Sequence, residues 1–434
     1  MRCPAAIFYA VSDTVRNPGR SGIQSVVRSL AAALGARALA VDRSLPPIHP
    51  VVWNARGGYF QPLPPRLSLG LGAEPLRESP DLSWRDLLTQ PVTWPACAVA
   101  RLRGGRAHDL PLHWHPRLRR ELSGGWLLLP ELAYSGRAHL FLDYAQHHGL
   151  RFAAIFHDAI PLTHPEFCPS ELPGLHAAYM RVLSRADLIL PNSADSAAGW
   201  HRFVADEKLP TPAVRVCTLA SEIPGAERVR DPDDKPISVS NPTTQLPTIR
   251  LLTVSTLEPR KNHATLLDAF SLAAADAARA SLRLELHLVG APYVGARHIM
   301  TRVHRAMREH PGAVFWHEKV EHSRLRQLYR ECDFTVYPSV VEGFGLPVIE
   351  SLWFGRPCVC ANFGVMAENA ASGGCLPADV RDSHALADAI LALARSPELR
   401  AKLTAQAVSR PLKTWDEYAR EIVREIEHCP ARPR

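Results

Sequence analysis

The sequence predicts an α/β protein built from two Rossmann-like domains, each a parallel sheet covered by helices, facing a central cleft. Three observations carry that expectation. The chain has 434 residues, and at roughly 100–200 residues per domain two domains are the simplest division. Short apolar runs alternate with amphipathic stretches in both halves, as in a parallel sheet buried on both faces. Between the halves, residues 222–248 mix charges with five prolines and show no periodicity, which reads as a linker.

The elements follow in order. Ala5–Val11 is a short apolar run that ends in Ser12-Asp13-Thr14. Ser21-Gly22 then precedes Ile23, Val26, Val27, Leu30, Ala31 and Leu34, the spacing of an amphipathic helix with Ser21 as N-cap. Strand, glycine loop and helix open a Rossmann-like unit, although the dinucleotide fingerprint G-x-G-x-x-G is absent. Residues 44–120 are rich in Pro, Trp and Arg and carry no assigned elements. Strands return at Arg151–Phe156, ending in His157-Asp158, then at Asp187–Leu190 and Ala213–Cys217. In the second half strands are expected at Arg250–Ser255, Leu282–Val289, Ala313–Trp316, Phe334–Tyr337 and Pro357–Ala361. Helices such as Ala264–Ala275 and His322–Glu331 lie between them. The last helix gathers Trp415, Tyr418, Ala419, Ile422, Val423 and Ile426 on one face and has little sheet left to follow. It is expected to cross back onto the first domain. The expected boundaries are 1–225, a linker at 226–248, and 249–410, with the helix 411–428 returning to the first domain.

Composition narrows the function classes. A hydrophobic share of 46% excludes disorder as the main state. The formal charge of +7 is too weak to argue for nucleic acid and suits an anionic ligand or membrane surface. Residues 1–250 hold 27 basic and 22 acidic side chains, against 23 and 21 in 251–434, so most of the excess sits in the first half. The nine cysteines include no C-x-x-C pair, which disfavours a disulfide framework or zinc site and suits buried thiols in a reducing compartment. No run approaches the ~18–20 apolar residues that span a bilayer, and the N-terminal apolar stretch is short for a signal peptide. A cytoplasmic protein that can rest on the inner face of a membrane is expected.

Two segments carry chemistry. Glu342-Gly343-Phe344-Gly345-Leu346-Pro347-Val348-Ile349-Glu350 follows a strand and opens a helix. Its glycines allow close backbone approach, and the helix start offers free N–H groups to an anion. The alternative is a Gly-rich turn flanked by solvated Glu, and composition leaves the two readings level. Thr253–His263 ends a strand and places Arg260 and Lys261 just before a helix. A solvated basic helix start would oppose the helix dipole, whereas a diphosphate there resolves the conflict. Two decoys fall away. His317-Glu318-Lys319-Val320-Glu321-His322 is one residue too long for H-E-x-x-H and straddles two elements. Asp231-Pro232-Asp233 lies in the linker. The Arg101–Arg120 stretch, with Trp94, Trp114 and Trp126 nearby, is either a patch for anionic lipid or a solvated face.

Together these segments resemble the retaining, nucleotide-sugar-dependent glycosyltransferases of family 4, which have the GT-B fold. The E-x7-E signature is Glu342 to Glu350, and TLEPRKNHATLLDAF is similar to the family's phosphate-binding strand–loop–helix. IFHDAIPLTHPEFCP (155–169) looks like a form common in bacterial polysaccharide mannosyltransferases, and LILPNSADS and TWDEYA also fit. The resemblance implies transfer of a hexose, with GDP-mannose the leading donor, to a glycan or lipid-linked saccharide, without metal or other cofactor. A GT-B epimerase or phosphorylase, or a non-catalytic scaffold, are the competing readings. The implied catalytic residues are His157, Glu342, Arg260 and Lys261. The implied donor site adds Gly22, Thr256, Val320, Gly343, Phe344, Gly345, Leu346 and Glu350. In it Glu350 bonds the ribose, Lys261 the diphosphate, Gly22 lets the diphosphate approach, and the base lies beside Glu318–Val320. Ser255-Thr256 stand where many relatives have Gly-Arg, so Arg260 is expected to supply that guanidinium.

Overall fold

The computed structural model describes residues 5–16, 22–39, 46–64, 110–223, 225–232, 246–293 and 295–430. The chain divides into two compact units, Met1–Leu219 with Thr414–Arg434, and Ala220–Lys413.

The first unit holds a seven-stranded sheet. Its strands are β1 (Ile7–Ala10), β2 (Ile48–Asn54), β3 (Tyr59–Pro62), β4 (Trp126–Leu129), β5 (Arg151–Phe156), β6 (Leu188–Pro191) and β7 (Ala213–Val214), in the order β3-β2-β1-β4-β5-β6-β7. All neighbours are parallel except β2 and β3, a hairpin that sets Trp53 opposite Phe60. Every residue of β1, β4 and β6 is buried. Helices cover both faces of such strands, which is why they read as continuous apolar runs. The helix α1 (Gly22–Leu39) follows β1. β2 and β3 lie in the stretch where no element was expected. Pro50 and Pro62 sit inside them, and proline demotes a run read as strand because it donates nothing to the ladder.

The second unit holds six parallel strands: β8 (Thr248–Val254), β9 (Arg283–Val289), β10 (Val314–His317), β11 (Phe334–Tyr337), β12 (Cys358–Ala361) and β13 (Cys375–Ala378). Their order is β10-β9-β8-β11-β12-β13. The helices that matter for the site are α2 (His263–Arg279), α3 (His322–Glu331) and α4 (Leu346–Trp353). β11 and α3 have the bounds expected from sequence, while β13 was not expected. Residues 225–230 pack on this unit: Val229 donates its backbone N–H to Trp353 at 3.0 Å, and Arg228 donates to the Val408 carbonyl at 2.8 Å.

The final helix α5 (Trp415–Glu427) belongs to the first unit, where it packs against α1. Its six expected apolar residues are all buried. A capping box starts it, Glu417 N–H to Thr414 Oγ1 at 3.2 Å and Thr414 N–H to Glu417 Oε2 at 2.7 Å, which satisfies donors that a helix start leaves open.

Both sheets share a topological feature. β1 pairs β4, and β8 pairs β11, while the chain between them runs off to the opposite side. Ligands of open α/β sheets bind outside the strand C-termini at such switch points. Among the described residues, no helix is long and apolar enough to cross a membrane.

Candidate functional site

The switch point of the second sheet is built by two loops. After β8 the chain runs through Ser255 and exposed Thr256 to the single 3-10 turn Pro259–Lys261. Proline suits the first position of such a turn, where its fixed φ fits and no N–H is needed. Asn262 closes the turn at φ 57°, a left-handed conformation that asparagine tolerates. Its side-chain amide donates to the Val380 carbonyl at 2.7 Å, and α2 begins at His263. Arg260 and Lys261 are thereby lifted to the carboxyl edge of β8.

After β11 comes Pro338-Ser339-Val340-Val341-Glu342. Two bonds tie this loop to the first: Val340 N–H to the Arg260 carbonyl at 2.9 Å and Ser339 Oγ to the same carbonyl at 3.1 Å. Phe344 is buried, and Asn369 donates to its carbonyl at 2.6 Å. Gly345 then turns at φ +83° into α4. A Cβ on Gly345 would lie 2.1 Å from Met366 Cε. That methionine end can move, but the backbone conformation cannot suit another residue. We expect Gly345→Ala to cost about 1–2 kcal/mol, read as a lower melting temperature.

The two loops converge on the Glu342 carboxylate, which is buried. Oε1 accepts from Lys261 Nζ, from Tyr337 OH at 2.7 Å and from Ser339 Oγ at 2.6 Å. Oε2 pairs with Arg260 at 2.7 Å. Lys261 Nζ also donates to Tyr337 OH at 2.7 Å, and Arg260 pairs with Glu258 at 2.7 Å. Two cations and two carboxylates thus compensate one another. Burial alone would raise the Glu342 carboxyl, but the charges of Lys261 and Arg260 outweigh it and hold it down to about 2. Burial likewise lowers Lys261 while the Glu342 charge draws it back up. With a carboxylate oxygen in direct contact, the pair is ionic.

Glu350 stands apart, on the second turn of α4. Its Oε2 accepts from the Tyr329 hydroxyl at 2.8 Å. Gly343 and Leu346 flank the turn into α4. Val320 is half-buried on the loop after β10. His317 ends β10 and His322 opens α3, so the two decoy histidines lie on different elements, and His317 Nε2 instead meets His287 Nδ1 at 3.1 Å.

Gly22 and His157 belong to the first unit. Gly22 opens α1, is exposed, and a Cβ there would meet no atom within 4 Å. Among the described residues, no neighbour demands glycine at that position. Ser21, its expected N-cap, lies outside the described residues. His157 is buried after β5, with Nε2 2.8 Å from the Pro130 carbonyl. A carbonyl only accepts, so Nε2 carries the proton and Nδ1 is the ring's remaining acceptor. Burial lowers its pKa against the opposing Pro130 bond and Asp158 charge, so the ring is neutral at neutral pH. At the switch point of this sheet, buried Glu131 accepts from Asp13 N–H at 2.8 Å, Thr14 N–H at 2.9 Å and Thr14 Oγ1 at 2.8 Å.

The Arg-rich stretch is only partly described. Arg101, Arg103, Arg106 and Trp94 lie outside the described residues. Arg117 pairs with Glu121 at 3.0 Å, and Arg119 and Arg120 are exposed. Trp126, expected beside a surface patch, is instead buried in the central strand β4 with the Arg151 guanidinium 4.0 Å over its ring.

Residues 240–410 match the family model of the glycosyl transferases group 1. The matched residues lie within the second unit. Among its relatives, O-antigen chain mannosyltransferase B of Escherichia coli is 30% identical over 175 residues, covering 40% of this chain and 44% of that protein. The serotype-specific mannosyltransferase WbdA of Escherichia coli is 25% identical over 246 residues, covering 53% of this chain and 29% of that one. The chain thus spans less than half the length of these curated relatives. Among solved structures, Anabaena HepE in complex with UDP and glucose has a TM-score of 0.58 at 13% identity, covering 97% of this chain and 99% of that one. Sucrose-phosphate synthase from Thermosynechococcus elongatus has a TM-score of 0.61 at 16% identity, covering 97% and 98%. These structures establish the GT-B fold. Within the second unit, Tyr337, Ser339, Glu258 and Tyr329 are partners that sequence reasoning did not single out. Tyr337 read only as a strand end, and Tyr329 fell inside an expected helix without being named.

Proposed function

We propose that this chain is a retaining glycosyltransferase. It moves a hexose from a nucleoside diphosphate sugar to a glycan or lipid-linked saccharide in bacterial-type polysaccharide biosynthesis, with mannose from GDP-mannose as the leading donor. The observation that carries this reading is the pair Arg260–Lys261 on the carboxyl edge of β8, at the switch point of a group 1 domain. The two mannosyltransferase relatives support the sugar.

The chemistry follows from charge. As the glycosidic bond breaks, negative charge grows on the nucleoside diphosphate. Preorganised cations and backbone N–H groups at that place stabilise it. Arg260, Lys261 and the turn Gly343–Leu346 supply them, and no metal is called for. Because Glu342 and Glu258 already compensate the two cations, an arriving diphosphate exchanges with a carboxylate. Glu342, once released, accepts hydroxyls of the transferred sugar. Glu350 holds the ribose, Val320 lies beside the base, and exposed Gly22 leaves room for phosphate. Neutral His157 offers Nδ1 as an acceptor to the sugar, which suits a ligand better than a general base. Retention places acceptor attack on the face the phosphate leaves, with a phosphate oxygen taking the acceptor's proton. Exposed Arg119 and Arg120 support contact of a cytoplasmic enzyme with an anionic membrane surface carrying the acceptor.

The test is a turnover screen across purified nucleotide sugars, with and without chelator. GDP-mannose should be consumed fastest, and chelator should leave the rate unchanged. Turnover of no nucleotide sugar would sink the reading, and loss of all activity with chelator would sink its metal-free chemistry.

A further inference from the structure

Glu350 is partnered by a hydroxyl rather than by a cation, and that hydroxyl is unusually well held. Tyr329 lies on α3, buried, with its ring parallel to Phe354 at 5.0 Å between centroids and 14° between planes. Its backbone carbonyl accepts from Arg356 Nε at 3.2 Å, and the same buried guanidinium donates to the Arg330 carbonyl at 3.2 Å. Ser351 on α4 donates to the Arg356 carbonyl at 2.8 Å. Ring, carbonyl and the end of α3 are therefore all locked to the helix that carries Glu350. A side chain with so little freedom can impose its own order on the half-buried carboxylate it bonds.

We propose that Tyr329 is a positioning residue for the donor nucleotide, its hydroxyl holding Glu350 Oε2 so that Oε1 is presented to the ribose diol. This rests on the reading that Glu350 binds the ribose. A carboxylate held in one rotamer pays its ordering cost during folding, and binding is spared it. The bond also favours the charged form that a diol can donate to. Burial pushes the Glu350 carboxyl up, and the Tyr329 bond opposes that rise. Burial keeps the Tyr329 phenol well above its ordinary value, so it remains the donor at neutral pH. Besides Glu350, Cys332 and Cys358 also face the Tyr329 hydroxyl, and the Arg356 guanidinium lies on its backbone carbonyl.

Tyr329→Phe keeps the ring on Phe354 and removes only the hydroxyl. Donor KM should rise roughly tenfold, the worth of one hydrogen bond to a charged group, with kcat nearly unchanged. The acid limb of donor affinity should move to higher pH, because Glu350 loses the bond that favours its charge. A purely structural role would not move that limb. Fluorotyrosine at position 329, a stronger donor in the same fold, should move it to lower pH, which keeps the test open if the phenylalanine variant folds poorly. If Glu350→Gln weakens donor binding while both changes at 329 leave KM and the pH profile as in the wild type, the positioning role is overturned alone. If Glu350→Gln leaves donor affinity unchanged, the ribose reading fails and this role with it.

Discussion

Lys261→Ala should lower kcat/KM by roughly 10²–10³-fold, the scale seen when one preorganised charge stabiliser is removed from an active site. The reason lies in how the ammonium is held. Lys261 is buried, bonded to Tyr337 OH at 2.7 Å and paired with Glu342. It is a compact charge fixed at the edge of β8 before any ligand arrives, so little reorganisation accompanies leaving-group departure. Arg260 does not replace it, because its guanidinium stands at Glu342 Oε2 and Glu258, whereas the ammonium stands at Oε1 and the Tyr337 hydroxyl. The fold should persist, since Glu342 keeps Arg260, Tyr337 and Ser339 as partners. Lys261→Arg should not rescue, because a planar fork does not fit where a point charge sat. Steady-state turnover beside a thermal melt separates the two effects. Near-normal turnover would contradict the assignment.

Glu342→Gln should lower stability and activity together, by a different route. The amide leaves buried Lys261 and half-buried Arg260 close together, with Glu258 as their remaining carboxylate partner. Breaking a buried pair by removing one partner costs about 3–5 kcal/mol. The carboxyl is held at about 2 instead of its ordinary 4.5. Its contribution is therefore complete above about 4.5 and is lost as pH falls from there towards 2. Acid unfolding of the wild type should steepen in that window, and Glu342→Gln should lack that part of the slope. The variant should also regain stability when GDP is added, because the diphosphate restores the missing negative charge. A melting temperature and acid slope equal to the wild type would contradict the network as described.

Much of this was legible in the sequence. β5, β11 and α3 emerged with their observed bounds, because strands buried on both faces and one clean amphipathic stripe leave strong patterns. The convergence of Arg260, Lys261 and Glu342 was implied by two motifs 81 residues apart. Their mutual pairing was not, since it depends on Ser339 and Val340 tying the second loop to Arg260. β2 and β3 were hidden by Pro50 and Pro62. β4 was hidden because four residues after Gly124-Gly125 are too short to show a period. Glu131 carries no local signal beyond following that strand, yet its three accepted bonds anchor the loop after β1. Tyr329 carried no signal of its own inside the expected helix, because the feature that singles it out, a hydroxyl on Glu350, exists only in three dimensions.

The most direct test of the donor site is a calorimetric titration of GDP and UDP into the wild type and Lys261→Ala at neutral pH. Binding to the wild type should be saturable, and weaker by roughly 100-fold in the variant, or about 2.7 kcal/mol. Equal affinity in the two proteins, or no binding of either nucleotide to the wild type, would contradict it.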